Sequence, residues 1–357
     1  MSKFLELTKD VFSEKHVEKQ ADQIPYIGYS FAEDKVIYNI NPNYLCLEPL
    51  EENNQLALFK LGEFSNIKYS FDKKNWNNFP VDSDNPFNIN YITIDKPVYL
   101  RGYNLNGVVN MDELQGCKLT GSGKYNVSGD ITTLLNIVGD VRDLTPYGTY
   151  GVFYGLFAKY DSVPCVDVVD ASKLILPSTK LADWCYSNMF GNCTSLVAAP
   201  KILPATTLAA ECYNSMFYNC TSLTTAPELP ATTLANYCYS NMFQYCTSLT
   251  IAPKLPATEL AESCYNSMFH GCTSLITAPE LPATTLTKSC YNSMFYGCTN
   301  LNHIKCLTTD ISADLSTYMW AEDVASTGTF IKHPAMTDWF IGGGGIPSGW
   351  KVENAVL

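Results

Sequence analysis

Fourteen cysteines are the side chains with the most reactive chemistry in this chain of 357 residues. Ten of them occupy two positions of a repeated block, whose copies begin 27, 26, 26 and 26 residues apart. Thiols at such positions can form disulfides, bind a metal ion or pack as small apolar groups. The ten are Cys185, Cys193, Cys212, Cys220, Cys238, Cys246, Cys264, Cys272, Cys290 and Cys298.

The spacing of these cysteines favours packing over metal or redox chemistry. The sequence contains no CxxC pair, and zinc sites usually combine close cysteine pairs with histidines. The four histidines are His16, His270, His303 and His333. His303 lies between Cys298 and Cys306, but Cys298 belongs to the repeat. We therefore favour a ladder of free thiols over disulfides, and disulfides over a metal site, and we expect no cofactor.

Catalytic motifs are missing from the sequence. It contains no His-Glu-x-x-His, no Gly-x-Ser-x-Gly and no phosphate-binding Gly-x-x-x-x-Gly-Lys. The glycines at 342–345 precede Ile346-Pro347 and no helix pattern, which predicts a turn. We predict no catalytic residues and expect that the protein is not an enzyme.

The repeated block predicts a solenoid. Its second copy runs from Cys212-Tyr213-Asn214-Ser215-Met216-Phe217 through Cys220-Thr221-Ser222-Leu223 to a proline-rich end at Leu234. A fixed period of this length is typical of units that bury their apolar faces only against their neighbours.

Within one unit, the pattern predicts a short helix followed by a strand. Leu208, Cys212 and Met216 recur every four residues, which predicts one apolar stripe of a helix of about three turns. Pro227 and Pro230 exclude a helix in the second half of the block. We expect that half to form a brief parallel strand.

The residues before the repeats divide into two parts. Residues 1–43 are expected to form an attachment segment, with an amphipathic helix over about residues 1–20 and a β-hairpin over residues 24–39. Residues 44–131 are expected to form a small all-β sandwich. Its expected strands are Tyr44–Pro49, Leu56–Lys60, Ile67–Phe71, Tyr91–Ile94, Val98–Tyr103, Cys117–Thr120 and Tyr125–Ile131.

The solenoid is expected over residues 132–306, with a degenerate first repeat around Gly155-Leu156-Phe157, and a C-terminal cap over residues 307–357. The predicted fold class is therefore a multidomain α+β chain. It consists of a small all-β sandwich-like domain, a solenoid of short parallel strands and short helices, and a cap.

The pattern Phe-x-x-Cys-x-x-Leu followed by Leu-Pro resembles the bacterial surface-antigen type of leucine-rich repeat, called BspA-like. Such repeats are abundant in gut Bacteroidales and in the phages that infect them. Thr327–Phe330 and Gly345–Trp350 resemble the segment that closes these arrays, and Ile67–Asp72 and Val98–Tyr103 resemble a usual companion domain. The resemblance implies a curved solenoid, adhesion or recognition roles and no catalytic residues.

Charge and hydropathy limit the partners. A net charge of -12 and a pI near 4.8 argue against nucleic acid, whose phosphates need a clustered basic surface. No apolar run reaches the roughly 18 residues of a membrane span. The N-terminus is charged and has no signal-peptide core, which favours a virion surface over the alternative, a bacterial cell surface.

Positions that differ between copies are the candidates for binding a partner, because the constant positions are needed for packing. Tyrosine and histidine can stack on a ligand and also form hydrogen bonds with it. The alternative is that they are solvated loop residues. The candidates are Tyr218, Tyr237, Tyr245, His270 and Tyr296.

These observations favour a non-enzymatic structural or adhesion protein of a phage particle. Residues 1–43 would attach it to a virion or other anchoring protein, and the solenoid would recognise a host-surface protein or glycan. Self-association through the leader is a further expectation. The main alternative is a bacterial cell-surface adhesin or glycan-binding protein, and the weakest is a glycan-active enzyme.

Overall fold

A computed structural model describes residues 26–30, 35–39, 43–61, 67–80, 91–104, 108–110, 115–135, 139–147, 151–159, 166–337, 339–342 and 344–356. The helix predicted over residues 1–20 lies outside them. The predicted hairpin is confirmed by β1 (Tyr26–Ser30) and β2 (Lys35–Asn39), which pair antiparallel.

The next part of the chain forms two sheets, and each of the seven expected strands overlaps an observed one. One sheet has the order β7-β4-β10-β9, and the other has the order β12-β11-β3-β8-β5-β6. Tyr125 joins the two sheets, because its hydroxyl donates to the carbonyls of Gln55 (3.0 Å) and Ser122 (3.1 Å). The strands are β3 (Leu45–Pro49), β4 (Asn54–Leu61), β5 (Ile67–Ser70), β6 (Asn77–Asn78), β7 (Ile92–Ile94), β8 (Val98–Gly102), β9 (Val109–Asn110), β10 (Gln115–Ser122), β11 (Lys124–Asp130) and β12 (Asp167–Ile175).

The six-stranded sheet continues directly into the solenoid. β11 pairs antiparallel with β3 on one side and parallel with β12 on the other, so β11 belongs to both parts. The expected division at residue 131 therefore does not interrupt the hydrogen-bonded sheet. A column of parallel bridges then runs along the solenoid through Ala198, Thr225 and Ile251. It ends in a parallel sheet of β13 (His303–Cys306), β14 (Thr329–Lys332) and β15 (Lys351–Asn354).

The predicted α+β class, with its short helices in every repeat, is wrong. The described residues contain no α-helix, only two short 3-10 helices, η1 (Ile131–Leu134) and η2 (Thr145–Tyr147). Where helices were expected, each unit forms a run of consecutive turns, which we call the turn ribbon. In the second unit the turn ribbon spans residues 210–219.

The turn ribbon repeats every four residues. Glu211, Ser215 and Asn219 have φ values of 52°, 54° and 55°, in the left-handed region. An apolar spacing of four therefore fits this ribbon as well as it fits a helix of 3.6 residues per turn. The apolar spacing of each unit belongs to this ribbon and not to a helical stripe.

Hydrogen bonding explains why the ribbon is preferred inside a stack. Alternate backbone N–H groups bond within the ribbon, as from Met216 to the carbonyl of Tyr213 (3.2 Å). The others bond to the next unit, as from Tyr213 to the carbonyl of Cys238 (3.1 Å). An α-helix directs its interior N–H groups to its own carbonyls, so it could not link neighbouring units in this way. Buried backbone groups are thus paired along the stack.

A substitution at a left-handed position distinguishes the ribbon from a helix. Asn241 has a φ of 55°. We expect Asn241→Gly to keep the free energy of unfolding within about 1 kcal/mol, and Asn241→Ala to lower it by about 1–2 kcal/mol, because a Cβ disfavours this conformation. If this position lay in a helix, the alanine variant would instead be more stable than the glycine variant by about 1 kcal/mol. Denaturant unfolding of both variants measures the difference, and a more stable alanine variant would contradict the ribbon.

The array includes end units with weaker sequence signals. Residues 151–159 bond to the first full unit, with Phe153 and Phe157 stacked on Tyr186 and Phe190. At the other end, residues 314–322 form a further unit inside the predicted cap. Trp320 closes the aromatic core there, and its indole N–H donates to the carbonyl of Gly345 (2.7 Å).

Candidate ligand-binding surface

The ten repeat cysteines are free and fully buried. In each unit the second thiol donates to the carbonyl of a phenylalanine in the preceding unit, as from Cys246 to Phe217 (3.1 Å). Burial raises the pKa of Cys246 to about 12, so its thiol stays protonated near neutral pH. The described residues contain no cluster of three potential metal ligands. These cysteines join adjacent units and are not accessible to a partner.

Two ladders of buried rings make the turn ribbons a rigid support. In one, neighbouring phenylalanines stack with their planes parallel and offset, with Phe217 and Phe243 at a centroid separation of 5.6 Å. In the other, tyrosines stack in the same way, with Tyr213 and Tyr239 at 5.8 Å. A surface residue on a ribbon is therefore held by a packed interior.

Four of the five candidate residues form a continuous row of rings on the surface, which we call the aromatic ridge. The centroids of Tyr218 and Tyr245 are 5.9 Å apart, and those of Tyr245 and His270 are 5.1 Å apart. His270 and Tyr296 follow at 4.9 Å. The rings cross four consecutive units at the end of the turn ribbon that leads into the strand.

Tyr237 does not belong to the aromatic ridge. It lies eight residues before Tyr245, two ribbon periods away, at the opposite end of the same turn ribbon. No ring contact of Tyr237 is found within the described ranges. Tyr237 and Tyr245 are equally exposed, each at 38%. Comparing substitutions of Tyr237 and Tyr245 therefore shows whether an effect on binding depends on membership of the aromatic ridge or on losing any exposed tyrosine.

The backbone of Tyr245 is unusual for an aromatic residue. Its φ is 62°, in the left-handed region that glycine, asparagine and aspartate tolerate best. The equivalent positions of the other units carry residues of that kind: Asn192, Asn219, Gly271, Gly297 and Asp323. Tyr237, outside the ridge, has a similar φ of 56°, so the backbone conformation alone does not distinguish Tyr245. The ring contacts of Tyr245 with Tyr218 and His270 do.

Glycine at position 271 makes room for the Tyr245 ring. A Cβ at Gly271 would stand 2.5 Å from the Cδ1 atom of Tyr245, so the ring lies over the bare backbone. In this placement the Tyr245 ring lies between the rings of Tyr218 and His270. Tyr218 and His270 occupy equivalent positions of their units, and the residue at that position in the unit between them is Gln244. Sequence register alone would have put Gln244 into the ridge.

The electrostatics of the aromatic ridge are neutral in the middle and acidic at one end. Burial lowers the pKa of His270, so its imidazole is uncharged at neutral pH. The negative charge of Asp323 raises the pKa of the Tyr296 hydroxyl. Asp323 was missed from sequence because it belongs to the unit inside the predicted cap.

Trp76 is half-buried and packs against neighbouring side chains. Its ring makes an edge contact with Tyr44 at 4.8 Å, and the Arg101 guanidinium lies 4.2 Å from its centroid.

Among the described residues no helix is long and apolar enough to cross a membrane. Comparison of the chain with protein-family models, with curated proteins and with solved structures found no match.

Proposed function

We propose that this chain is a non-enzymatic recognition protein whose aromatic ridge binds a host-cell surface. The observation that carries the proposal is the continuous row of rings on the surface, in which Tyr245 connects Tyr218 with His270. Aromatic side chains on a rigid support lose little conformational entropy on binding and are frequent hot spots.

The rest of the proposal concerns where the protein is displayed. We place it on a phage virion, attached through residues 1–43 to a virion or other anchoring protein, with Bacteroidales cells as the host. The resemblance to BspA-like repeats supports this part. The aromatic ridge argues only for recognition and is compatible with any anchoring partner.

Replacing Tyr245 by asparagine removes the ring and tests the recognition role. The new residue adds no backbone strain, because asparagine tolerates the left-handed conformation at this position. Asn219 occupies the same position of its unit at a φ of 55°, so we expect Tyr245→Asn to unfold within about 1 kcal/mol of wild type. Loss of one aromatic hot spot of roughly 2 kcal/mol should weaken binding to intact Bacteroidales cells about tenfold or more. Titration of labelled protein by flow cytometry measures the affinity.

Tyr237→Ala is the matched control, because it removes an equally exposed tyrosine from outside the ridge. We expect its affinity to stay within about twofold of wild type, a change of under roughly 0.5 kcal/mol. Equal losses in both variants would show that the aromatic ridge has no special role, and unchanged binding of Tyr245→Asn would refute the proposal.

A further inference from the structure

The aromatic ridge borders one position where a ligand can reach the backbone. A Cβ added at Gly297 would meet only backbone atoms of Gly271 within 4 Å among the described residues. Tyr245 covers Gly271 on one side, and Asp323 occupies the next position of the row on the other. Tyr296, the neighbour of Gly297 in sequence, is the last ring of the row and lies 4.9 Å from His270. This end of the aromatic ridge therefore combines an open glycine, an aromatic ring and a carboxylate.

Each part of this site matches a feature of a sugar ring. The C–H face of a pyranose packs on an aromatic ring, and its hydroxyl groups donate to carboxylate oxygens. The negative charge of Asp323 acts on the Tyr296 hydroxyl, so the two groups are neighbours, and an ionised carboxylate offers acceptor positions to a ligand. Ligand sites commonly combine such apolar contacts with a few fixed polar groups.

Charge selects among the sugars. The two acidic side chains at this end, Glu322 and Asp323, would repel a carboxylated or sulfated ligand, and the chain as a whole has a net charge of -12. Burial keeps His270 neutral near pH 7, so the ridge supplies no compensating cation there. An uncharged sugar meets no such repulsion.

We propose that Gly297, Tyr296 and Asp323 form a subsite for one uncharged pyranose unit of a cell-surface glycan, with the rest of the glycan lying along the aromatic ridge. This inference rests on the proposed function and names the chemical class of its ligand. A protein receptor is the other outcome of the test.

The substitution Gly297→Asn fills the subsite while keeping the backbone. Gly297 has a φ of 71°, and asparagine is accommodated at the same repeat position in Asn192 and Asn219, at φ values of 61° and 55°. A Cβ at position 297 meets neither ring within 4 Å, so we expect the Tyr245 and His270 rings to keep their places in this variant. We expect cell binding to fall at least tenfold in Gly297→Asn and to stay unchanged in Tyr237→Ala, with circular dichroism and thermal melting showing that both are folded.

The chemical class of the ligand is tested on the cells themselves. Periodate cleaves vicinal diols of sugars, whereas proteinase K removes exposed protein. We expect periodate to abolish binding of the full chain and proteinase K to leave it, and we expect the uncharged fraction of the extracted surface polysaccharide, separated by anion exchange, to compete better than the anionic fraction.

The outcomes separate the subsite from the proposed function. Binding that depends on Tyr245 but resists periodate, is lost after proteinase K, is competed better by the anionic fraction or is unaffected by Gly297→Asn would overturn the glycan subsite alone. Binding that is insensitive to Tyr245→Asn would overturn the proposed function and the subsite with it.

Discussion

Replacement of Phe243 by alanine is expected to lower the free energy of unfolding by about 3–5 kcal/mol, the usual cost of truncating a fully buried phenylalanine. The side chain has no exposed surface, and its ring stacks on Phe217 at 5.6 Å and on Phe269 at 5.7 Å. A cavity at this point interrupts a ladder that crosses the whole array. Because each unit of a solenoid is stabilised only by its neighbours, the loss acts on both flanking interfaces.

Tyr239→Phe is the matched control for this prediction. Tyr239 lies in the same unit and is equally enclosed, but its hydroxyl has no hydrogen-bond partner among the described groups. Removing a buried and unpaired hydroxyl should leave stability unchanged or raise it by roughly 1 kcal/mol. Guanidinium unfolding monitored by far-UV circular dichroism gives both values. A loss below about 1 kcal/mol in Phe243→Ala would contradict the packed ladder.

Replacement of Asp130 by alanine is expected to cost about 3 kcal/mol and to weaken the joint between the sandwich and the solenoid. Asp130 ends β11, the strand that both parts share. Its carboxylate accepts hydrogen bonds from the backbone N–H and the hydroxyl of Thr132, at 2.8 and 2.7 Å, and from the N–H of Asp140 at 2.8 Å. Burial raises the pKa of Asp130, but these donors remain whichever form is present.

The cost arises because alanine leaves buried donors without an acceptor, and each such loss is worth roughly 1–3 kcal/mol. Asp130→Asn keeps one acceptor oxygen at the same place and should lose about half as much. Calorimetry of the three proteins measures the effect, and a second thermal transition in Asp130→Ala would indicate that the two parts have separated. Equal stability of alanine and wild type would show that the carboxylate does not hold the joint.

The seven strands expected before residue 131 were predictable because their signals are local: Leu45–Pro49 and Val98–Gly102 are short apolar runs that favour strands. In the repeats the paired prolines exclude a helix, but the parallel strand expected in each unit is reduced to isolated parallel bridges, such as that between Thr225 and Ile251. The conformation of the turn ribbon was not predictable in this way. Apolar residues at every fourth position fit both an α-helix and the turn ribbon. The hydrogen bonds that decide between these two backbones join residues of different units.

The final unit was missed for a related reason. Ser316 and Thr317 stand where other units carry cysteine and tyrosine, so the repeat pattern fades although the backbone bonds continue. Trp320 replaces the smaller methionine of the preceding unit and fills the end of the core. A terminal unit needs only to match its neighbour in backbone register, and its side chains can differ.

By itself, the sequence determined that the chain contains a periodic array and that its repeated cysteines, phenylalanines and leucines serve packing, because a period of 26 residues requires identical side chains to meet. Only the tertiary structure decided which variable residues lie together. Tyr245 crosses from its own repeat position onto Gly271 and so meets His270, whereas Tyr237 stays at the far end of the ribbon. Which variable residues meet depends on where each ring lies between neighbouring units, and the spacing of residues along the chain does not determine this.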